Sequence, residues 1–268
     1  MEWFKQLNDS IKLYISSVVL KKNKACILSN KGFDLIDIIC NQSTSKEIER
    51  MKLIAELYIR YNMPLSKIFN EIYFWNKSFY TNWFTLDARS STELLIESIL
   101  KYIPTPPKTI LELGVGTGAL IISLLEYYPN AKCTAIDICE KVLKVTQKNC
   151  ERYNANITLI KNDWLNNINE PFDLCIANPP YILPEEKIND YAMFDPQKAL
   201  FHKDPLWFYK EIEKKHHLFK YIALEFSSNN ETSTYYTEMP IFVNNEDKTH
   251  NKTHKLGASR IVIINKDK

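Results

Sequence analysis

The chain has 268 residues, a formal net charge of +2, 45% hydrophobic and 25% charged residues. That is enough for one sizeable core, or one core with a small satellite domain, in an ordinary water-soluble globular protein. So small a positive excess leaves no electrostatic footprint of a nucleic-acid partner, and no apolar run reaches the length of a membrane span. The six cysteines include no Cys-x-x-Cys, so a disulfide framework is not expected, in keeping with a reducing cytoplasm. Met1 to Ser10 has no apolar core and does not read as a signal peptide. His250 and His254 share helical spacing but sit among Asn, Lys and Thr, so no metal site is expected.

Residues 1 to about 80 lack strand alternation. Ile11, Tyr14, Ile15 and Val18 recur at helical spacing, as do Ile36, Ile39 and Cys40, then Met51, Ile54, Ala55, Leu57 and Tyr58. The segment reads as a small helical domain, broken by the polar run Asn41 to Ser45. An aromatic stretch from Phe69 to Phe84 reads as a β-hairpin turning near Asn76-Lys77, and the linker it belongs to extends to about residue 108.

From residue 109 to 268 strand and helix alternate. Strands are expected near 109–113, 132–136, 157–162, 172–177 and 221–226, and helices near 118–128, 140–153 and 205–217. Two further strands are expected in the tail, at Ile241 to Val243 and Arg260 to Ile264. With right-handed crossovers this is a doubly wound α/β sheet, which binds ligands at the carboxyl ends of its strands.

Four motifs fall at those ends. The first is Leu111-Glu112-Leu113-Gly114-Val115-Gly116-Thr117-Gly118-Ala119, a strand, a glycine loop and the start of a helix. Glycine permits tight turns and close ligand approach, and the helix N–H groups face the ligand. The second is Asp137 at the tip of the next strand, where a carboxylate can accept both hydroxyls of a ribose diol. The third is Asp163-Trp164. The fourth is Asn178-Pro179-Pro180-Tyr181, a rigid turn after the apolar run Phe172 to Ala177. There the Asn178 amide oxygen and the Pro179 carbonyl can act as two convergent acceptors for a planar NH2 group, with Tyr181 as a flat wall. The glycines also satisfy Gly-x-Gly-x-x-Gly/Ala, so a nicotinamide dehydrogenase is a competing reading of that loop taken alone.

Together these motifs resemble the HemK/PrmC family, methyltransferases that modify the glutamine of the release-factor Gly-Gly-Gln loop. The resemblance runs from about Pro64 to the C-terminus. It is carried by Leu111 to Ala119, Asp137, Asn149, Asp163-Trp164 and Phe172 to Ile182, with weaker matches at Asp195-Pro196 and Gly257 to Val262. It implies a Class I, Rossmann-like S-adenosylmethionine-dependent methyltransferase domain, and an N-terminal helical domain that helps to bind the release factor. It also implies that Glu112, Gly114, Val115, Gly116, Thr117, Gly118, Asp137, Asp163, Trp164 and Asn178 surround S-adenosylmethionine. Asn178, Pro179, Pro180 and Tyr181 would hold the substrate amide.

The family's Ile-Pro-Arg-Pro-Glu-Thr-Glu segment is matched by Asp87-Ala88-Arg89-Ser90-Ser91-Thr92-Glu93, which places Arg89, Thr92 and Glu93 beside substrate or cofactor. Here the chain departs from the pattern: both prolines and the leading aliphatic residue are gone. The family's Glu-Ile-Gly at the end of the fifth strand is Glu225-Phe226-Ser227, and its Gly-rich stretch after Ala199-Leu200 is Phe201 to Asp204. Each change removes a rigid turn or backbone freedom near the substrate end. Two other functions share part of the pattern. One is a nucleic-acid amino-methyltransferase acting on adenine N6 or guanine N2; the other is a degraded family member that binds S-adenosylmethionine without catalysis.

Overall fold

The computed structural model describes residues 6–8, 11–12, 15–16, 19, 43–204 and 206–226, and the backbone of 227 and 259–265. The expected strand at Ile241 to Val243, the helical positions Ile36 to Cys40 and the pair His250/His254 lie outside the described residues. Contacts divide the chain into two compact units, Met1–Phe69 and Asn70–Lys268.

In the first unit, helix α1 (Ser45–Tyr61) starts at a capping box. The Thr44 hydroxyl accepts the Glu47 N–H, and the Glu47 carboxylate accepts the Thr44 N–H at 2.8 Å, so two orphan donors of the first turn are satisfied. Asn62, at φ 52°, ends the helix in the left-handed conformation that Asn tolerates. Met51, Ile54 and Ala55 form the buried stripe, packed with Leu7, Ile15 and Val19 and with the short helix α2 (Leu65–Phe69). Of the positions read at helical spacing, Ile15, Met51, Ile54 and Ala55 fall in this buried set, with Ile11 and Tyr58 packed against it, whereas Tyr14 and Val18 lie outside the described residues.

The second unit opens with a hairpin, β1 (Glu71–Phe74) and β2 (Lys77–Tyr80). Trp75 and Asn76 both take positive φ, which matches the right-handed twist of the flanking strands in a two-residue turn. By contacts the hairpin groups with this unit, which begins at Asn70. The reason is local. Asn149 clasps Tyr80 through both backbone groups, and the Tyr153 hydroxyl accepts from Ser78 N–H and donates to Ser78 C=O.

After helix α3 (Ser90–Tyr102) come β3 (Thr109–Leu113), α4 (Ala119–Leu124), β4 (Lys132–Asp137), α5 (Glu140–Tyr153), β5 (Ile157–Lys161) and β6 (Phe172–Ala177). Then follow α6 (Gln197–Leu200), α7 (Trp207–Lys214), β7 (Phe219–Ser227) and β8 (Ser259–Asn265). The sheet order is β5-β4-β3-β6-β7-β8, parallel except for β8. Alternate residues of each central strand feed opposite layers, as a sheet covered on both faces requires. Ile110, Leu174 and Ile176 pack in the layer of α3 and α4, whereas Leu111, Leu113, Cys175 and Ala177 pack in the layer of α7. Helix α4 stops at Leu124, short of the expected 128; tight turns carry the chain to Tyr128 before Pro129.

Order reverses between β3 and β6, and that crevice is where a doubly wound sheet takes its ligand. The backbone register states the consequence residue by residue. Leu113 pairs with both Ile136 and Ala177, Asp137 pairs with Lys161, and Ala177 pairs with Leu224. The next residues therefore line one edge: Asp163-Trp164, Asp137, Gly114, Asn178, and then Glu225.

Candidate active site

The glycine loop is built from left-handed turns. Gly114, Gly116 and Gly118 have φ of 71°, 57° and 78°. A Cβ on Gly114 or Gly116 would meet nothing within 4 Å, so the loop presents bare backbone on an open face. Gly118 differs: a Cβ there would lie 2.8 Å from Thr146 Cγ2, so it lets α4 approach α5. The Thr146 hydroxyl donates to Gly116 C=O at 2.9 Å, and Asn149 Nδ2 donates to Thr117 C=O at 2.8 Å. Asn149 is fully buried and also holds Tyr80, so one side chain ties the hairpin to the loop.

Asp137 sits at the end of β4 with Oδ1 accepting the Cys139 N–H at 2.9 Å and Oδ2 accepting the Gly116 N–H at 3.4 Å. Burial raises its pKa, and the backbone N–H groups act against that rise. Each oxygen keeps a lone pair for a further donor. Glu112 is buried, its Oε2 has no hydrogen-bond partner among the described residues, and desolvation holds its pKa well above the usual carboxylate range. Val115 and Thr117 are buried beneath the loop. Trp164 adopts φ 50° and packs edge-on against Phe208 with centroids 4.7 Å apart; its buried Nε1 has no partner among the described residues. Asp163 is exposed beside it. An open glycine cradle, a carboxylate with lone pairs to spare and an aromatic residue on the same edge fit a nucleoside with a ribose diol and a flat base.

At the centre of the edge, Asn178 is half-buried. Its Nδ2 donates to Thr92 Oγ1 at 3.0 Å, and its Oδ1 has no protein partner among the described residues. Thr92 Oγ1 donates in turn to Glu225 Oε2 at 2.6 Å. The Ser91 hydroxyl (3.0 Å) and the Tyr181 hydroxyl (3.4 Å) donate to Glu225 Oε1. Pro179 is buried, and two residues beyond Pro180 the chain is pinned by a bridge between Ile182 and Phe201.

Of the three residues expected beside substrate or cofactor, Thr92 touches Asn178. Arg89 pairs with Asp195, and Glu93 Oε1 accepts the Trp75 N–H at 2.7 Å, which puts it on the hairpin turn. Asp87 occupies the position of the family's aliphatic residue and is only 4% exposed. It accepts from the Thr81 hydroxyl at 2.7 Å, and its N–H donates to Asp195 Oδ1 at 3.1 Å. The lost proline turn is thus replaced by a buried polar cluster. Sequence pattern does not single out Glu225, Ser91 or Asp195 as site residues. The available signal is a glutamate closing an otherwise apolar strand, Tyr221 to Phe226.

Residues 83–202 match the family model of the methyltransferase small domain. The chain is 34% identical over 182 residues to the release factor glutamine methyltransferase of Enterococcus faecalis, covering 65% of each protein. It is 32% identical over 205 residues to the enzyme of that name from Francisella tularensis, covering 69% of this chain and 72% of the relative. The chain therefore spans less than two thirds of the Enterococcus relative's length and more than two thirds of the Francisella one's. Among solved structures, the hMettl16 catalytic domain in complex with MAT2A 3'UTR hairpin 6 superposes with a TM-score of 0.53 at 12% identity, covering 83% of this chain and 82% of that one. Fold and edge together define the Class I, Rossmann-like methyltransferase fold. Within that class, the chain belongs to the release factor glutamine methyltransferase (HemK/PrmC) family.

Proposed function

We infer that this chain transfers a methyl group from S-adenosylmethionine to the side-chain amide nitrogen of the glutamine in the Gly-Gly-Gln loop of peptide chain release factors. The observation that carries this reading is the orientation of Asn178: its NH2 is committed to Thr92, so its oxygen is the end offered to a substrate. Family membership supports the substrate class, and the ligand-compatible edge supports the cofactor. Gly114 to Gly118 would hold the cofactor, and Asp137 would accept its ribose hydroxyls.

Bound S-adenosylmethionine supplies a sulfonium-activated methyl group, so the protein's task is orientation. An amide nitrogen is a poor nucleophile because its lone pair is delocalised into the carbonyl. Asn178 Oδ1 and the Pro179 carbonyl would accept the two amide hydrogens and turn the nitrogen toward the methyl group. Orientation of this kind contributes roughly 7–11 kcal/mol in favourable cases. The same acceptors stabilise the positive charge that develops on nitrogen. The proton released when the nitrogen takes the methyl group would pass to solvent water, no described residue being assigned as its base.

The N-terminal helical module, residues 1 to about 80, carries no chemical motif, and we assign it to partner choice. If it has that role, substitutions on its exposed surface should weaken release-factor binding and leave cofactor affinity unchanged. No described helix is long and apolar enough to cross a membrane. The reading as a whole is tested by incubating the full chain with methyl-labelled S-adenosylmethionine and, in separate reactions, a release factor, its Gln→Ala loop variant, and RNA. Label should enter the release factor alone. Label in RNA, or equal label in the Gln→Ala variant, would overturn it.

A further inference from the structure

We propose that Glu225 is a positioning residue that decides, through Thr92, which end of the Asn178 amide faces the substrate. The inference rests on the methyl-transfer reading for its kinetic consequence, and on the hydrogen-bond geometry alone for its structural one.

An asparagine side chain has nearly the same shape either way round, so sterics do not choose between presenting Oδ1 and presenting Nδ2. The choice falls to the hydrogen-bond partners. Only Oδ1 accepts an amide hydrogen; a reversed Asn178 would confront the substrate NH2 with two donors. The partner of Asn178 is a hydroxyl, and a hydroxyl with one proton can donate or accept along that contact. What removes the ambiguity is the next link. Glu225 is buried with three hydroxyls directed at its two oxygens, those of Thr92, Ser91 and Tyr181, so its carboxyl group is the acceptor of the cluster. Thr92 sends its single proton there, at 2.6 Å, which leaves only lone pairs on the side facing Asn178. Asn178 must then turn its Nδ2 inward, as observed at 3.0 Å, and its oxygen outward.

The surroundings hold Glu225 to this task. Ser91 and Tyr181 donate to its other oxygen, and the Tyr209 hydroxyl donates to its backbone carbonyl at 3.1 Å. Thr92 is 6% exposed, so water does not compete for the relay. The register places Glu225 next to Asn178 across β6 and β7, since Ala177 pairs with Leu224. Burial, and after it the neighbouring Tyr181 and Glu225, hold the Tyr209 hydroxyl well above its ordinary pKa, so Tyr209 stays a donor.

The relay has a polarity, and a polarity can be reversed. Asn178→Asp places a carboxylate where Thr92 offers lone pairs, with Glu225 claiming the only proton, so this variant should be severely impaired. Adding Glu225→Gln lets the new amide donate to Thr92 Oγ1. The Thr92 proton is then free for the carboxylate introduced by Asn178→Asp, whose other oxygen again faces the substrate. Single-turnover methylation of a release factor by Asn178→Asp/Glu225→Gln should exceed that of Asn178→Asp at least tenfold, with both folded by thermal unfolding. A double variant no faster than Asn178→Asp would overturn the proposal, because a merely structural glutamate predicts added damage.

The second arm needs no turnover. In the full chain labelled with nitrogen-15 asparagine, the Asn178 side-chain resonance, assigned by its loss in Asn178→Ala, should be kept in Thr92→Ser and displaced in Thr92→Val. An unchanged resonance in Thr92→Val would equally overturn the proposal; should that variant fail to fold, Glu225→Met, which removes the acceptor, takes its place. If wild type labels no release factor while Thr92→Val displaces the resonance, the substrate reading fails and the relay stands.

Discussion

Gly118 and Gly116 share a left-handed backbone yet should fail in different ways when replaced by alanine. At Gly118 two costs combine. An L-residue at φ 78° pays roughly 1–2 kcal/mol for the left-handed conformation. The new methyl would also lie 2.8 Å from Thr146 Cγ2 and 3.2 Å from Ile122 Cδ1, and overpacking of a close-packed site costs about 1–3 kcal/mol. Ile122 can rotate its terminal carbon away, but Thr146 is held by its hydroxyl bond to Gly116 C=O. Gly118→Ala should therefore lose about 2–5 kcal/mol in urea denaturation. Gly116→Ala meets nothing within 4 Å and should lose only the conformational part, about 1–2 kcal/mol. Its methyl projects from the open face, so S-adenosylmethionine affinity by calorimetry should fall at least tenfold. Thr146→Ser removes the offending Cγ2 and keeps the hydroxyl, so Gly118→Ala/Thr146→Ser should recover much of the packing loss. Equal destabilisation by the two alanines, or no recovery in the double variant, would refute this division of labour between packing and binding.

Asp137→Ala should weaken cofactor binding by about 1–3 kcal/mol, the scale of losing two hydroxyl hydrogen bonds to a charged acceptor; unchanged calorimetric affinity would remove Asp137 from the ribose site. Asn149→Ala strands the Tyr80 backbone pair and Thr117 C=O inside the protein, and should cost about 3 kcal/mol or more in urea unfolding. Because burial raises the Glu112 pKa, the folded state holds that proton more tightly than the unfolded chain does. The stability this contributes is full below pH 4.5, the ordinary value, and is lost as pH rises through the raised value. Urea stability of wild type relative to Glu112→Gln should therefore fall as pH rises toward neutral, and a difference independent of pH would contradict the assignment.

The parts of the fold legible in the sequence are those written in local pattern. Apolar runs marked β3 and β6, glycines marked the loop between β3 and α4, and Met51, Ile54 and Ala55 marked the buried face of α1. The edge motifs were legible because strand ends position them whatever the side-chain detail. Long-range polar pairings were not. Thr92 and Glu225 are 133 positions apart, and Asp87 and Asp195 are 108 apart. Nothing in local spacing distinguishes a buried hydroxyl–carboxylate relay from an exposed serine and threonine at a helix start. The same blindness made Asp87 look like a lost turn, when it is the acceptor of a buried cluster. Asn149 marked the resemblance, but its bonds to Tyr80, which bring the hairpin into the second unit, needed the folded chain.

The central claim is that the Asn178 oxygen orients the substrate amide. Its direct test is the single-turnover rate of methyl transfer to a release factor at saturating S-adenosylmethionine and substrate, comparing wild type with Asn178→Ala. If Asn178 acts on the transition state, the rate at saturation should fall by two orders of magnitude or more while cofactor binding and unfolding stability change little. A variant that turns over at the wild-type rate once saturated would contradict the claim.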